Sequence, residues 1–306
     1  MTGRCVLGFP IMVLPLALPG FAVFFQLFVP GLLVLAADGL VLVHALVFIG
    51  GITLLGVLWC LAAGNPEMVV ILIQISGLAL ILIAGRKHEW SGPKVLLAGY
   101  AALVLMLFLA MMMGGQDVQA GYHRLVDAVS DDLDRSFQLY MQSSPDRVHA
   151  DIDLWFRGFK EAVIRFLPGM LALFSLFVSL TNLLTVRRGL SRWFNIYAFA
   201  PAFMFWKMPF ELVWAVILSG GCAFLLEGMP RLAGENVLLA LSGIFFLQGL
   251  GIVIFCFREF RVPAFFRWIT YFLLMTQWYG LVIIFLLGLF DCWFNFRARV
   301  RRPVEK

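Results

Sequence analysis

Five uncharged amides stand inside stretches that are otherwise apolar: Gln26, Gln74, Asn182, Gln248 and Gln277. An amide carries two donors and an acceptor oxygen. In a nonpolar setting it either ties neighbouring helices together or faces a polar cavity, where a few placed groups orient a bound molecule. Gln248 stands out, because Gly249 and Gly251 beside it let another backbone approach closely. Ionisable groups in such surroundings are costly and mark function; those nearest the apolar runs are Asp38, His44, Glu67, Lys207, Glu211 and Asp291. The plain reading of each is a group at the end of a run, among lipid headgroups. Lys207 and Glu211 are four apart around Pro209, a spacing that allows an ion pair worth about a few tenths of a kcal/mol. The candidate ligand-binding residues are therefore Gln248, Gln74, Asn182, Gln277 and Asp291.

Several chemistries are absent from the sequence. It has no G-x-x-x-x-G-K-[ST] phosphate loop, no H-E-x-x-H, no C-x-x-C and no G-x-S-x-G, so no nucleotide hydrolysis, zinc or serine-nucleophile motif is present. Four histidines are spread without metal-pair spacing, and Asp131, Asp132 and Asp134 lack the glycine and terminal glutamate of a calcium loop. Cys5, Cys60, Cys222, Cys256 and Cys292 lie in or beside apolar runs with no knuckle or disulfide spacing, the pattern of small reduced thiols. The expectation is a protein that is not an enzyme and needs no cofactor or metal.

The elements holding these residues follow from composition. Of 306 residues, 62% are hydrophobic and 13% charged, and the mean hydropathy is +0.95. Soluble domains carry about 45–50% apolar and about 25% charged residues, so the excess belongs in lipid. Runs of about 20 apolar residues cross a hydrocarbon core about 30 Å thick, and they cross as helices that satisfy their own backbones. The alternating ten-residue strands of a membrane barrel are absent. The expected fold is all-α, a polytopic transmembrane helical bundle of about 8 to 10 segments. Pro15, Pro19 and Pro30 break the first block, Cys5 to Ala37, which is read as retained membrane sequence rather than a signal peptide. Spans are expected at Gly39–Ala63, Met68–Ala84, Val95–Met113, Glu161–Val186, Phe210–Leu226 and Val237–Phe257, with an interfacial connection over Trp193–Pro209 and a final hairpin turning near Gln277 to Gly280.

Between the halves lies the one long polar stretch, 114–160. Tyr122, Leu125, Val129, Leu133, Phe137 and Tyr140 recur at helical intervals, and Val148, Ile152, Trp155 and Phe159 form a second apolar face after the helix-start signal Ser144-Pro145. Two short amphipathic helices are expected. The chain thus divides into membrane helices over 1–113, an extracytoplasmic amphipathic segment over 114–160, and membrane helices with a basic tail over 161–306.

The net charge of +5 does not point to nucleic acid, because the basic residues cluster at the ends of apolar runs. Arg86, Lys87 and Lys94; Arg187, Arg188 and Arg192; Arg258, Arg261 and Arg267; and Arg297, Arg299, Arg301 and Arg302 all fit the cytoplasmic face under the positive-inside rule. That arrangement implies both termini on the cytoplasmic side of the membrane and the acidic 114–160 stretch outside.

Three stretches carry a resemblance: Lys207-Met208-Pro209 before a span, Phe-Leu-Gln-Gly-Leu-Gly at 246–251, and Gly-Leu-Phe-Asp-Cys-Trp-Phe-Asn-Phe-Arg at 288–297. By these the chain resembles the YybS-like family of bacterial membrane proteins, which is distantly similar to the substrate-binding subunits of energy-coupling-factor importers. Two departures stand out. Asn295 occupies the place of a second aspartate, and Ala17 and Ala22 are five apart where the importers' docking alanines are four apart. The resemblance implies a transport-type subunit that binds a small molecule between helices and relies on an energising protein partner. The alternative is a non-transporting membrane scaffold that recruits a protein through its external helices.

Overall fold

A run of leucine, valine and phenylalanine offers its backbone no polar partner except itself, so each apolar block folds as a helix. A computed structural model describes residues 22–37, 40–65, 67–113, 118–143 and 150–300. Among the described residues every regular element is helical. α1 (Ala22–Phe25) and α2 (Val29–Ala36) are two pieces separated by a short turn; α3 (Leu42–Ala62), α4 (Glu67–Lys87) and α5 (Gly92–Met113) follow. α6 (Val118–Ser143) is the amphipathic helix, and α7 (Ala150–Phe194) runs for 45 residues. A return segment, 195–210, holds only a 3-10 turn at Phe203–Phe205. After it come α8 (Glu211–Leu225), α9 (Met229–Glu259), α10 (Ala264–Thr276), α11 (Trp278–Phe294) and the short α12 (Phe296–Val300).

Among the described residues five helices, α3, α4, α5, α7 and α9, are long and apolar enough to cross a membrane, and six if the bent pair α10–α11 counts as one span. The expectation of eight to ten segments is met in part among the described residues. α8 has 15 residues, about 22 Å of helix, less than a full crossing. α10 and α11 meet at 104° instead of folding back as a hairpin, although the break falls at Gln277 as expected. The proline-rich residues before Ala22 lie outside the described residues.

The polar stretch also differs from two short helices. Its second apolar face continues in phase into the following span, so α7 passes through Lys160 and Glu161 without interruption. α6 folds against the projecting start of α7: Lys160 Nζ donates to Asp134 Oδ2 at 2.6 Å, and the rings of Phe137 and Phe156 stack with centroids 4.0 Å apart.

Charged residues bracket a lipid-sized slab. Twenty-one uncharged residues separate Arg165 from Arg187 on α7, and twenty-two separate Glu235 from Arg258 on α9. Each interval spans about 33 Å at helical rise, against a hydrocarbon core of about 30 Å. The two ladders start level, because Arg165 donates to both carboxylate oxygens of Glu235 at 2.7 and 2.6 Å. α7 and α9 then run side by side in the same direction, with Gly169 against Asn236 and Gly243 against Leu173 and Leu176. α7 is the wall that both halves share, packing on α2 and α5 on one side and on α9 on the other. Leu72, Leu78, Leu96, Leu183 and Phe245 are fully buried in the interior, whereas Val47, Leu54, Trp59, Leu218 and Phe272 point outward, exposed. Apolar surface of that extent is what a lipid-facing helix presents.

Candidate functional site

The return segment was expected to lie at the interface. It instead turns back into the bundle, because Phe199, Trp206 and Met208 are buried and pull the backbone in with them. Trp206 packs flat on Gly92 at the start of α5, where any side chain would meet the indole, and its Nε1 donates to Pro201 O at 3.0 Å. A buried non-helical backbone must find partners for its polar groups. Gln248 supplies two of the links: its Oε1 accepts from Met208 N at 2.7 Å, and its Nε2 donates to Gly288 O at 3.0 Å. One amide therefore joins the return segment, α9 and α11. Gln248 lies ten residues before Arg258, about 15 Å along the helix from the arginine-marked end.

Asp291 and Arg297 complete the cluster. α11 ends at Asn295, whose left-handed φ of 44° is one that asparagine tolerates better than most residues. Asn295 N donates to Asp291 O at 3.0 Å, and the Asp291 carboxylate accepts from Phe296 N at 2.8 Å, which starts α12. That turn carries Arg297 back inward. Its Nη1 donates to Trp206 O at 2.8 Å and its Nη2 to Gln248 O at 3.3 Å, with Asp291 Oδ2 3.6 Å from Nη1. Arg297 Nε is buried without a hydrogen-bond partner. At the rim, Lys207 donates to Asn295 Oδ1 at 3.0 Å and not to Glu211. The arrangement is a polar latch: one charge pair and one amide hold an irregular segment between helices.

The other sequence candidates lie elsewhere. Gln74 accepts from Gln26 Nε2 at 2.7 Å. Asn182 is fully buried and spent on a broken helix: Oδ1 accepts from Gly31 N at 2.8 Å, and Nδ2 donates to Gln26 O at 2.8 Å and Val178 O at 2.9 Å. Gln277 is exposed at the α10–α11 break. His44 is also exposed, and Asp38 lies outside the described residues. Cys60, Cys222, Cys256 and Cys292 are free thiols, and among the described residues no cluster of histidine, cysteine and carboxylate groups could hold a metal.

Two participants escaped sequence reasoning. Arg297 read as part of a terminal basic cluster; the available signal was Asp291, an acid in an apolar run that needs a cation nearby. Asn236, one residue before the span expected at Val237–Phe257, repeats the work of Asn182. Its Oδ1 accepts from Gly169 N at 2.8 Å, and its Nδ2 donates to Arg165 O and Leu232 O, both at 2.9 Å. Pro30-Gly31 and Pro168-Gly169 are the shared signal: each proline removes a helical donor, and an asparagine from another helix serves the disturbed turn.

The family model described as "Predicted membrane protein (DUF2232)" matches residues 6–292. The chain belongs to that family. No curated protein and no solved structure matches it. The DUF2232 match takes in the return segment, Gln248 and Asp291, and ends five residues before Arg297.

Glycine sets how tightly the latch closes. A Cβ on Gly288 would land on Phe245 O, and one on Gly249 on Ile284 O. Both obstacles are backbone, so α9 and α11 would have to separate. Gly288→Ala should cost about 1–3 kcal/mol, read as a lowered unfolding temperature in detergent micelles. Gly243→Ala, whose Cβ meets only leucine side chains, should cost less.

Proposed function

We propose that this membrane protein is a transport-type subunit that binds a small molecule between its helices, carries no ATPase or other catalytic activity of its own, and uses the return segment as the element that opens and closes the site. The observation that carries this reading is the irregular segment 195–210, which buries Phe199, Trp206 and Met208 among the helices and is latched by Gln248 and Arg297. Non-helical backbone at membrane depth is tolerated where protein covers it or where it lines a cavity. Transporters place substrate at such interrupted helices. The buried Asp291–Arg297 pair adds weight, since ionisable groups inside membranes mark pathways and sites by default. Gln248 and Asp291 are the ligand-facing candidates on opening, with Gln277 at the hinge of α10–α11; Gln74 and Asn182 serve the frame. The sequence resemblance to YybS-like proteins, and through them to substrate-binding subunits of energy-coupling-factor importers, favours dependence on an energising partner. Counting α8, α10 and α11 as separate membrane segments brings the described residues to eight, the lower end of the eight to ten read from the sequence. The arginine end faces the cytoplasm in this reading, with both termini inside a bacterial inner membrane.

The test is a screen of the purified full-length protein against vitamins and metal ions, by thermal shift and by native mass spectrometry. A ligand that raises the unfolding temperature and is lost on Gln248→Leu is expected. No co-purified ligand and no stabilisation by any member of the panel would remove the reading. The α6–α7 hairpin favours the scaffold alternative, because Leu154 and Trp155 on it are exposed. In that case crosslinking in native membranes recovers one dominant partner, lost when residues 117–153 are deleted.

A further inference from the structure

At the arginine end of α7, Arg187, Arg188 and Arg192 line one open concavity of about 610 Å³ together with Leu184, and the return segment borders it with Tyr197 and Phe203. Arg187 is tied to Pro201 O at 3.4 Å. No carboxylate lines the cavity, and among the described residues neither Arg188 nor Arg192 has an acidic partner. Arg187 is half-buried and Arg188 and Arg192 are exposed, yet all three border the same space, where a concave apolar wall focuses their field. The guanidinium fork matches phosphate oxygens in paired hydrogen bonds. A cavity of this size fits an organic ligand, of the class that fills about 300–1,000 Å³, and is too large for a bare anion. Leu184 and Phe203 give it an apolar side.

We propose that Arg187, Arg188 and Arg192 bind a phosphate group carried on an organic molecule at the membrane surface. This site stands whether or not the Gln248 cluster takes a ligand. The phosphate has two sources, the headgroup of an anionic phospholipid or a soluble organic phosphate, and the experiment separates them. Full-length protein in neutral detergent is titrated with phosphatidylglycerol, with diacylglycerol as the phosphate-free lipid, and with ATP and inorganic phosphate. Unfolding temperature and retained adducts in native mass spectrometry are the readouts.

Phosphatidylglycerol or ATP should stabilise the protein, and diacylglycerol should not. The R188Q/R192Q variant should lose affinity by about a hundredfold, one factor of ten for each charged fork removed. Arg299→Gln, at the same end but outside the cavity, should change it less than about twofold. Stabilisation by phosphatidylglycerol alone assigns the lipid source, and by ATP alone the soluble one. The proposal fails if R188Q/R192Q binds like the parent, if Arg299→Gln loses as much, or if diacylglycerol stabilises equally. Should the double variant not fold, Arg192→Gln alone is expected to lose about tenfold, and an unchanged affinity there overturns the site.

Discussion

Arg297→Ala is expected to destabilise the protein by about 3–5 kcal/mol, the range for breaking a buried ion pair from one side. The guanidinium is the cation for Asp291, whose side chain has no exposure, and it also serves Trp206 O and Gln248 O. Its loss strands a carboxylate and removes donors from two carbonyls at once. Leaving such groups bare costs more than making the bonds gains. Against a typical folding stability of about 5–15 kcal/mol the change is large, so the arginine end of the bundle should loosen first, with the return segment released. Removing both charges tests whether the pair is the unit. Asp291→Asn with Arg297→Met should recover much of the loss, because desolvation of the two ions is avoided. Thermal unfolding in detergent micelles measures both, with protease cleavage within 195–210 reporting release of that segment. A double variant no more stable than Arg297→Ala would show that the hydrogen bonds, and not the charges, hold the latch.

Sequence carries much of the frame and little of this latch, for reasons that particular residues make plain. α3 spans Leu42–Ala62 and α5 Gly92–Met113, close to the apolar runs expected there, because lipid demands about 20 uninterrupted apolar residues and charges or turn residues end them. Gln248 was legible as a node because an amide followed by two glycines in an apolar run has few other uses. The 45-residue length of α7 was not, since a polar amphipathic face and an apolar span share one helical period, and only composition changes between them. The inward path of 195–210 was hidden by Pro201 and Pro209, which read as a surface connection when burial of Trp206 and Met208 in fact decides the course. Arg297 was hidden because an arginine beyond the end of a span has a sufficient explanation in topology. Only the left-handed turn at Asn295 sends it back inside.

The two asparagines explain how a bundle with broken helices stays folded in lipid. Asn182→Leu is expected to cost about 2–6 kcal/mol, from about 1–3 for each of two backbone groups left bare, Gly31 N and Gln26 O. Leucine shares the branched shape of asparagine and is larger, so no cavity forms and any packing cost adds to the loss. Asn236→Leu should cost less. Asn236 neighbours Glu235 at the charged end of the slab, where water can serve Gly169 N and Arg165 O, whereas Asn182 lies five residues inside Arg187. The cause can be tested, because α2 starts at Val29 after a turn at 26–28, and Pro30 in its first turn has no N–H with which the helix could extend back to Gln26 O. Pro30→Ala restores that donor, so combined with Asn182→Leu it should recover part of the loss. The two substitutions should then couple by at least about 0.5 kcal/mol in a double-mutant cycle. Unfolding temperatures of the four proteins in the same detergent decide it. Simple additivity would mean that Asn182 does not compensate for the proline.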